Sequence, residues 1–368
     1  MRQALCSGDG WAEVLARLGR ADDLATSARD AGALTRRRGV TDASSLLRLG
    51  LCYGPGGMSL RETAAWAQMQ GIAKLSDVAL LKRLRGAADW FGHLAGRIVA
   101  DRASASGRLG QRPLRLVDGT AVGAPGRGEK GWRLHMSYDP RASRFTDFEL
   151  TDAAEAERLD RFEPEAGEIR IADRGFGHRP DCIRHLAEGP GDYVVRVHWR
   201  GLHWLEETGD RFDIMAFLEG LGSDDSGEAR VLIGRGKRQG SWEAFPARLI
   251  ALRLPPEKAE QARARVWSEN RRKGRAVQPQ TLAAAGHVLL LTSLAPEDYP
   301  PGHIGALYRL RWQVEIAFKR LKSLLRLDTL RARDPDLARA WIFANLLAAF
   351  LIEDMLRLPP DSSPSTCP

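Results

Sequence analysis

Between Ser104 and Gly110 the spacing of the apolar residues changes from a helical to a strand period. That change restricts the chain to a mixed α/β architecture with a helical domain ahead of a sheet. Before the link, residues 1–105 read as helical, with the clearest pattern from Ser59 to Arg85. Ser59 and Glu62 form a capping-box pattern ahead of an apolar-periodic run. Gly71 interrupts that run, and Ser76 can cap a second helix in which Val78, Leu81 and Leu84 recur. A helix, a short turn with Gly and a basic second helix resemble a helix-turn-helix; an ordinary antiparallel helix pair fits the same pattern. Asp89 to Ala103 continues as helix.

After the link, Leu114 to Asp118 alternates and closes on Asp118-Gly119-Thr120. Trp132 to Tyr138 and Phe145 to Leu150 are two further strands, and Ala153 to Phe162 reads as a helix. Glu168 to Asp173 is a fourth strand, closing on Asp173-Arg174-Gly175. A helix over Pro180 to Ala187 leads to a fifth strand, Tyr193 to Val197. Residues 199–286 read as a β-rich insertion outside the central sheet. It has strands at Ala229 to Ile233 and Arg248 to Leu254, and a basic stretch from Lys258 to Arg275 around Trp267. Val288 to Ser293 returns as a buried strand, expected beside Tyr193 to Val197, and Leu337 to Leu356 is a helix. The expected units are 1–105, 111–198, 199–286 and 287–358, with a Pro- and Ser-rich tail, 359–368, that reads as disordered.

The 368 residues carry 43% hydrophobic and 28% charged side chains, the composition of a soluble globular protein. Only eight of the 55 basic residues are lysine, so arginine carries the net charge of +8. Its planar fork suits bidentate contact with phosphate, which makes nucleic acid the natural partner. A high-GC genome would enrich arginine too. Cys6, Cys52, Cys182 and Cys367 are scattered, which suggests a reducing compartment and neither a zinc site nor a disulfide framework. With no signal peptide and no run of ~18 apolar residues, the chain reads as neither membrane-bound nor secreted.

The stretch Tyr308 to Arg326 contains no Gly or Pro and reads as one helix. Leu310, Val314, Ala317, Phe318, Leu321, Leu324 and Leu325 share an arc of about 120°, a core-facing stripe. Tyr308, Arg311, Glu315 and Lys322 fall within about 60° of one another on another face, with the spacing Y-x2-R-x3-E-x6-K. Such a face can equally be a solvated ion-pair stripe. Asp118, Asp173 and Glu315 stand at the ends of strands and on a covering helix, where an α/β fold gathers its site. Three carboxylates brought together repel unless a cation neutralises them, and hard oxygen ligands favour Mg2+ or Mn2+, two such ions suiting phosphodiester chemistry. Either aspartate could instead be a turn residue, as is common before Gly.

Asp118-Gly-Thr, Asp173-Arg-Gly-Phe and the Tyr308/Arg311/Glu315/Lys322 spacing resemble the bacterial insertion-sequence DDE transposases of the insertion-sequence-four family. In layout the resemblance covers roughly residues 40 to 355; its motifs are specific only around the three acids. It implies a ribonuclease-H-like core with a β-strand insertion, Asp118, Asp173 and Glu315 as catalytic and metal-binding triad, and double-stranded DNA as partner, both inverted-repeat element ends and target. It further implies cleavage and joining of DNA, with hairpin ends as one route, by a homodimer in the DNA complex, working at the nucleoid in the bacterial cytoplasm. Within that resemblance Arg311 and Lys322 hold phosphates, and Tyr308 donates its hydroxyl to a phosphate oxygen. Trp312 and Trp267 stack on displaced bases, with Arg271 and Arg272 as DNA contacts, although burial in a core accounts for either Trp alone. His135 and His178 are expected to pack or hydrogen-bond in the core. A nuclease of the same fold without strand transfer, or a non-catalytic DNA-binding derivative, is the alternative function.

Overall fold

The computed structural model describes residues 10–106, 112–123, 131–222, 225–235, 242–325 and 330–355. Six helices come first: α1 (Trp11–Arg17), α2 (Ala21–Asp30), α3 (Ala43–Tyr53), α4 (Leu60–Met69), α5 (Asp77–Gly86) and α6 (Ala88–Ser106). Ser59 and Glu62 close the expected capping box on α4, and Ser76 caps α5 by accepting from the Ala79 N–H. Gly71 has φ +67°, the left-handed turn that a β-carbon would disfavour. The face of α5 differs from the expected one. Leu80 and Leu84 are buried, whereas Val78 is 56% exposed. Two of its cations are also occupied within the protein, Arg83 on the Arg38 carbonyl and Arg85 beside Asp334 and Asp336.

The strands are β1 (Leu114–Val122), β2 (Trp132–Asp139), β3 (Arg144–Asp152), β4 (Ile169–Ala172), β5 (Asp192–Arg196), β6 (His203–Leu205), β7 (Ser226–Gly234), β8 (Phe245–Arg253) and β9 (His287–Thr292). They form one nine-stranded sheet in the order β3-β2-β1-β4-β5-β9-β8-β7-β6. The first three pair antiparallel, β4 and β5 run parallel to β1, and β9 returns antiparallel to β5, as Val194 opposite Thr292 shows. The five-stranded part is the expected ribonuclease-H-like core, and β9 joins it where expected. The insertion departs from expectation: β6, β7 and β8 are hydrogen-bonded extensions of the same sheet, because β9 offers its free edge to β8. The basic stretch is helical, α9 (Pro256–Arg272), so the insertion also carries α8 (Ile214–Gly220), α9 and α10 (Pro279–Ala285).

Both faces of the sheet are covered. Leu114, Leu116, Ile169 and Ile171 point into a core shared with the N-terminal helices and with α12 (Trp312–Leu325) and α13 (Pro335–Met355). Val117, Ala172 and Val195 alternate to the other face, against α7 (Pro180–Ala187), α8 and α10. Helix α13 is apolar and long enough to cross a membrane, yet 78% of its apolar window is buried inside the protein. Arg102 of α6 clamps it, donating to Glu353, Asp354 and the Phe145 and Phe350 carbonyls.

Two expected helices change. Residues 153–162 are not helical. Arg161 takes the Ala156 carbonyl, and the buried Arg170 takes those of Leu159 and Phe162, so carbonyls that a helix would use internally are bound by side chains. The stretch Tyr308 to Arg326 is broken at Leu310–Arg311 into α11 (Pro301–Arg309) and α12. There Leu310, Arg311, Gln313 and Val314 donate to the third residue back, a tighter winding that rotates the two helices relative to each other. Val314, Ala317, Phe318 and Leu321 are buried as the stripe requires, and Leu310 is half-buried. The side chains of Leu324 and Leu325, and all of Arg326, lie outside the described residues, as do Cys6, Cys367 and the tail 359–368.

Candidate active site

The parallel pairing of β1 with β4 aligns Val117 with Ala172, so the residues that follow, Asp118 and Asp173, stand side by side where the two strands part. Asp118 does not end its strand as expected; β1 continues to Val122 on the β2 side, and only the β4 pairing stops at Val117. Both aspartates continue the alternation of Leu114, Leu116, Ile169 and Ile171 toward the face that carries α12. Each also accepts from a nearby backbone N–H, Asp118 from Gly119 at 2.8 Å and Asp173 from Gly175 at 2.7 Å. The turn role weighed from sequence is therefore present together with the pairing. Burial pushes the Asp118 carboxyl up to about 7; the Gly119 N–H opposes, the Asp173 and Glu157 carboxylates add to the rise, and Arg311 counters it.

Glu315 lies in the first turn of α12 and accepts a 2.6 Å hydrogen bond from Arg311, whose guanidinium also sits over the Tyr308 ring at 5.9 Å. The Arg311 charge also acts on Asp118 and Asp173, but its direct ion pair among the described residues is with Glu315. Among the described residues no three His, Cys, Asp or Glu side chains converge closely enough to hold a metal ion in this conformation. Lys322 is half-buried and has no hydrogen bond or ion pair among the described residues, and Trp312 is 54% exposed.

Trp267 is 56% exposed on α9, so core burial does not account for it, and Arg271 and Arg272 are exposed in the last turn. The same helix borders a cavity of about 280 Å³ together with Arg174, the residue after Asp173; Arg196, Trp199, Arg265 and Glu269 also line it. His135 is buried and shares a 3.0 Å hydrogen bond with Thr151, as expected. His178 is exposed on the loop after Asp173, which corrects its assignment to the core. Cys52 and Cys182 are buried and form no disulfide among the described residues.

Sequence reasoning missed Glu157, which pairs with Arg133 at 3.2 Å and reaches the turns of both aspartates. Its only sequence signal was the Gly at 119 and 175, neither of which has positive φ.

Residues 109–351 match the transposase DDE domain family. The chain is 62% identical over 363 residues to the InsL protein of insertion sequence element IS186A of Escherichia coli (strain K12), covering 98% of each chain. It is likewise 62% identical over 364 residues, 98% of each chain, to the transposase for insertion sequence element IS421 of Escherichia coli. A piggyBac transposase from a synaptic complex with hairpin DNA aligns at a TM-score of 0.39 and 10% identity, covering 66% of this chain and 46% of that one. With a DDE domain over most of its length and these near full-length relatives, the chain belongs to the insertion-sequence DDE transposases.

Proposed function

We propose that this transposase belongs to the insertion-sequence-four group and that Asp118, Asp173 and Glu315 hold its divalent cations, two Mg2+ or Mn2+. The observation that carries this reading is the register of β1 and β4, which sets the two aspartates side by side below α12. The domain family implies dependence on a divalent metal, and the donors fit one. They are hard carboxylate oxygens, the half-buried Asp118 is driven toward its neutral form in the protein alone, and Glu315 has Arg311 as its counter-ion. When bound, the cations supply charge stabilisation at the scissile phosphodiester and activation of the attacking oxygen. Loading them requires Glu315 to leave Arg311, and an incoming phosphate is the group best able to take that arginine.

In this reading Arg311 and Lys322 bind phosphates beside the scissile one, Tyr308 donates to a phosphate oxygen, and the exposed Trp312 and Trp267 stack on displaced bases, with hairpin ends as one route. Arg271 and Arg272 extend the cationic surface of α9. Residues 1–105 form a DNA-binding unit, 111–198 and 287–358 the catalytic core, and 199–286 its insertion. The substrates are the inverted-repeat ends of the element and target DNA, bound by a homodimer at the nucleoid in the bacterial cytoplasm. The test incubates the full chain with inverted-repeat DNA and Mg2+ and resolves the products. Nicks followed by joined products support the reading, hairpins would identify the route, and cleavage without joining would assign a nuclease instead.

A further inference from the structure

A third carboxylate stands against the aspartate pair from the side opposite Glu315. Arg133 alternates with the core residues Leu134 and Met136 and so points to the other face of the sheet, where it holds Glu157 Oε1 at 3.2 Å. From there Glu157 reaches the edge at which β1 and β4 part. A β-carbon on Gly119 would lie 3.1 Å from Glu157 Oε1. One on Gly175 would lie 2.5 Å from Oε2 and 3.0 Å from Asp173 Oδ1. Neither glycine has a positive φ, so space rather than backbone freedom makes them glycine: two missing side chains admit one carboxylate.

The segment that carries Glu157 is held on both sides, by Arg161 on the Ala156 carbonyl and Arg170 on that of Leu159. Arg133 satisfies Oε1 alone; Oε2, the oxygen nearer Asp173, accepts no hydrogen bond among the described residues.

We propose that Glu157 is a fourth oxygen donor to the divalent cation held by Asp118 and Asp173, drawn onto the ion from the face opposite Glu315 when the carboxylates, too far apart in this conformation, close around it. This rests on the assignment of those aspartates to the metal. The rival account makes Glu157 only the ion-pair partner of Arg133.

Mn2+ binding to the full chain without DNA separates them, with free Mn2+ read by its paramagnetic resonance signal and melting followed in chelator. Glu157→Gln is expected to weaken Mn2+ binding by roughly tenfold or more while still melting cooperatively in chelator. Arg133→Gln is expected to bind Mn2+ at least as tightly as the unaltered protein. If Glu157→Gln does not melt cooperatively, Glu157→Asp, which draws the charge back by one carbon, is expected to show the same loss. Unchanged Mn2+ binding in the Glu157 variants, or equal losses for Glu157→Gln and Arg133→Gln, would overturn the proposal. Unchanged binding in Asp118→Asn would instead overturn the metal assignment beneath it.

Discussion

Arg311 hydrogen-bonds Glu315 at 2.6 Å, and its positive charge also acts on the carboxylates of Asp118 and Asp173. A group so placed has two competing partners, the acids and a DNA phosphate. Arg311→Ala is expected to weaken binding of element-end DNA and to lower the slope of log K against log salt by about one, for one lost phosphate contact. Without DNA or metal the same variant is expected to melt lower, since the acids lose their counter-ion, and added Mg2+ should recover part of the difference. An unchanged salt slope would leave Arg311 as an internal ion pair only.

Lys322 has no hydrogen bond or ion pair among the described residues, so its replacement breaks none there. Lys322→Ala should therefore also lower the salt slope by about one while leaving the melting temperature within error. Tyr308→Phe should be milder, about 0.5–1.5 kcal/mol of binding for a neutral hydrogen bond. Salt-series titrations read both, and a silent Lys322→Ala would contradict the phosphate assignment.

Burial, with Arg161 and Arg133 adding, lowers the His135 imidazole to about 4, so it is neutral in the folded protein. The unfolded chain binds a proton near the ordinary value of about 6.5, so this contribution is complete above that pH and is lost as pH falls from there toward 4. The raised Asp118 carboxyl has the opposite slope over its own window, losing stability as pH rises from the ordinary aspartate value toward about 7. Denaturant melts across pH 4–8 in chelator should show His135→Gln with a flatter acid limb and Asp118→Asn with a flatter limb toward neutrality. Parallel profiles for variant and unaltered protein would contradict the assignments.

Arg102 is 3% exposed and ties α6 to the end of α13 through Glu353 and Asp354. The Glu353 carboxyl is pushed up to about 6, chiefly by burial, with Arg102 opposing. Arg102→Met strands that carboxylate and should cost about 3 kcal/mol in urea unfolding. A loss below roughly 0.5 kcal/mol would mean that the Arg102 ion pairs add little to the packing of α13.

The strands were legible because alternation and turn residues agree over Leu114–Val122, Trp132–Asp139 and Ile169–Ala172. The insertion was misplaced because the free edge of β9, which draws β8 into the sheet, is a property of the folded sheet and leaves no mark on the sequence of either strand. Residues 153–162 have a helical composition, but the arginines that capture their carbonyls lie at or beyond the end of the stretch. The break at Leu310–Arg311 has no Gly or Pro to announce it. Asp118 and Asp173 could be found because a glycine follows each within two residues at the end of an alternating run; Glu157 could not, since its role depends on what Gly119 and Gly175 leave out.

The central claim is that Asp118, Asp173 and Glu315 act together on DNA, and paired binding and cleavage of element-end DNA by Asp118→Asn, Asp173→Asn and Glu315→Gln tests it most directly. The account predicts that each variant loses cleavage in Mg2+ while binding the DNA within a fewfold of the unaltered protein. Substantial cleavage by any one of the three, with the protein folded and bound, would contradict it.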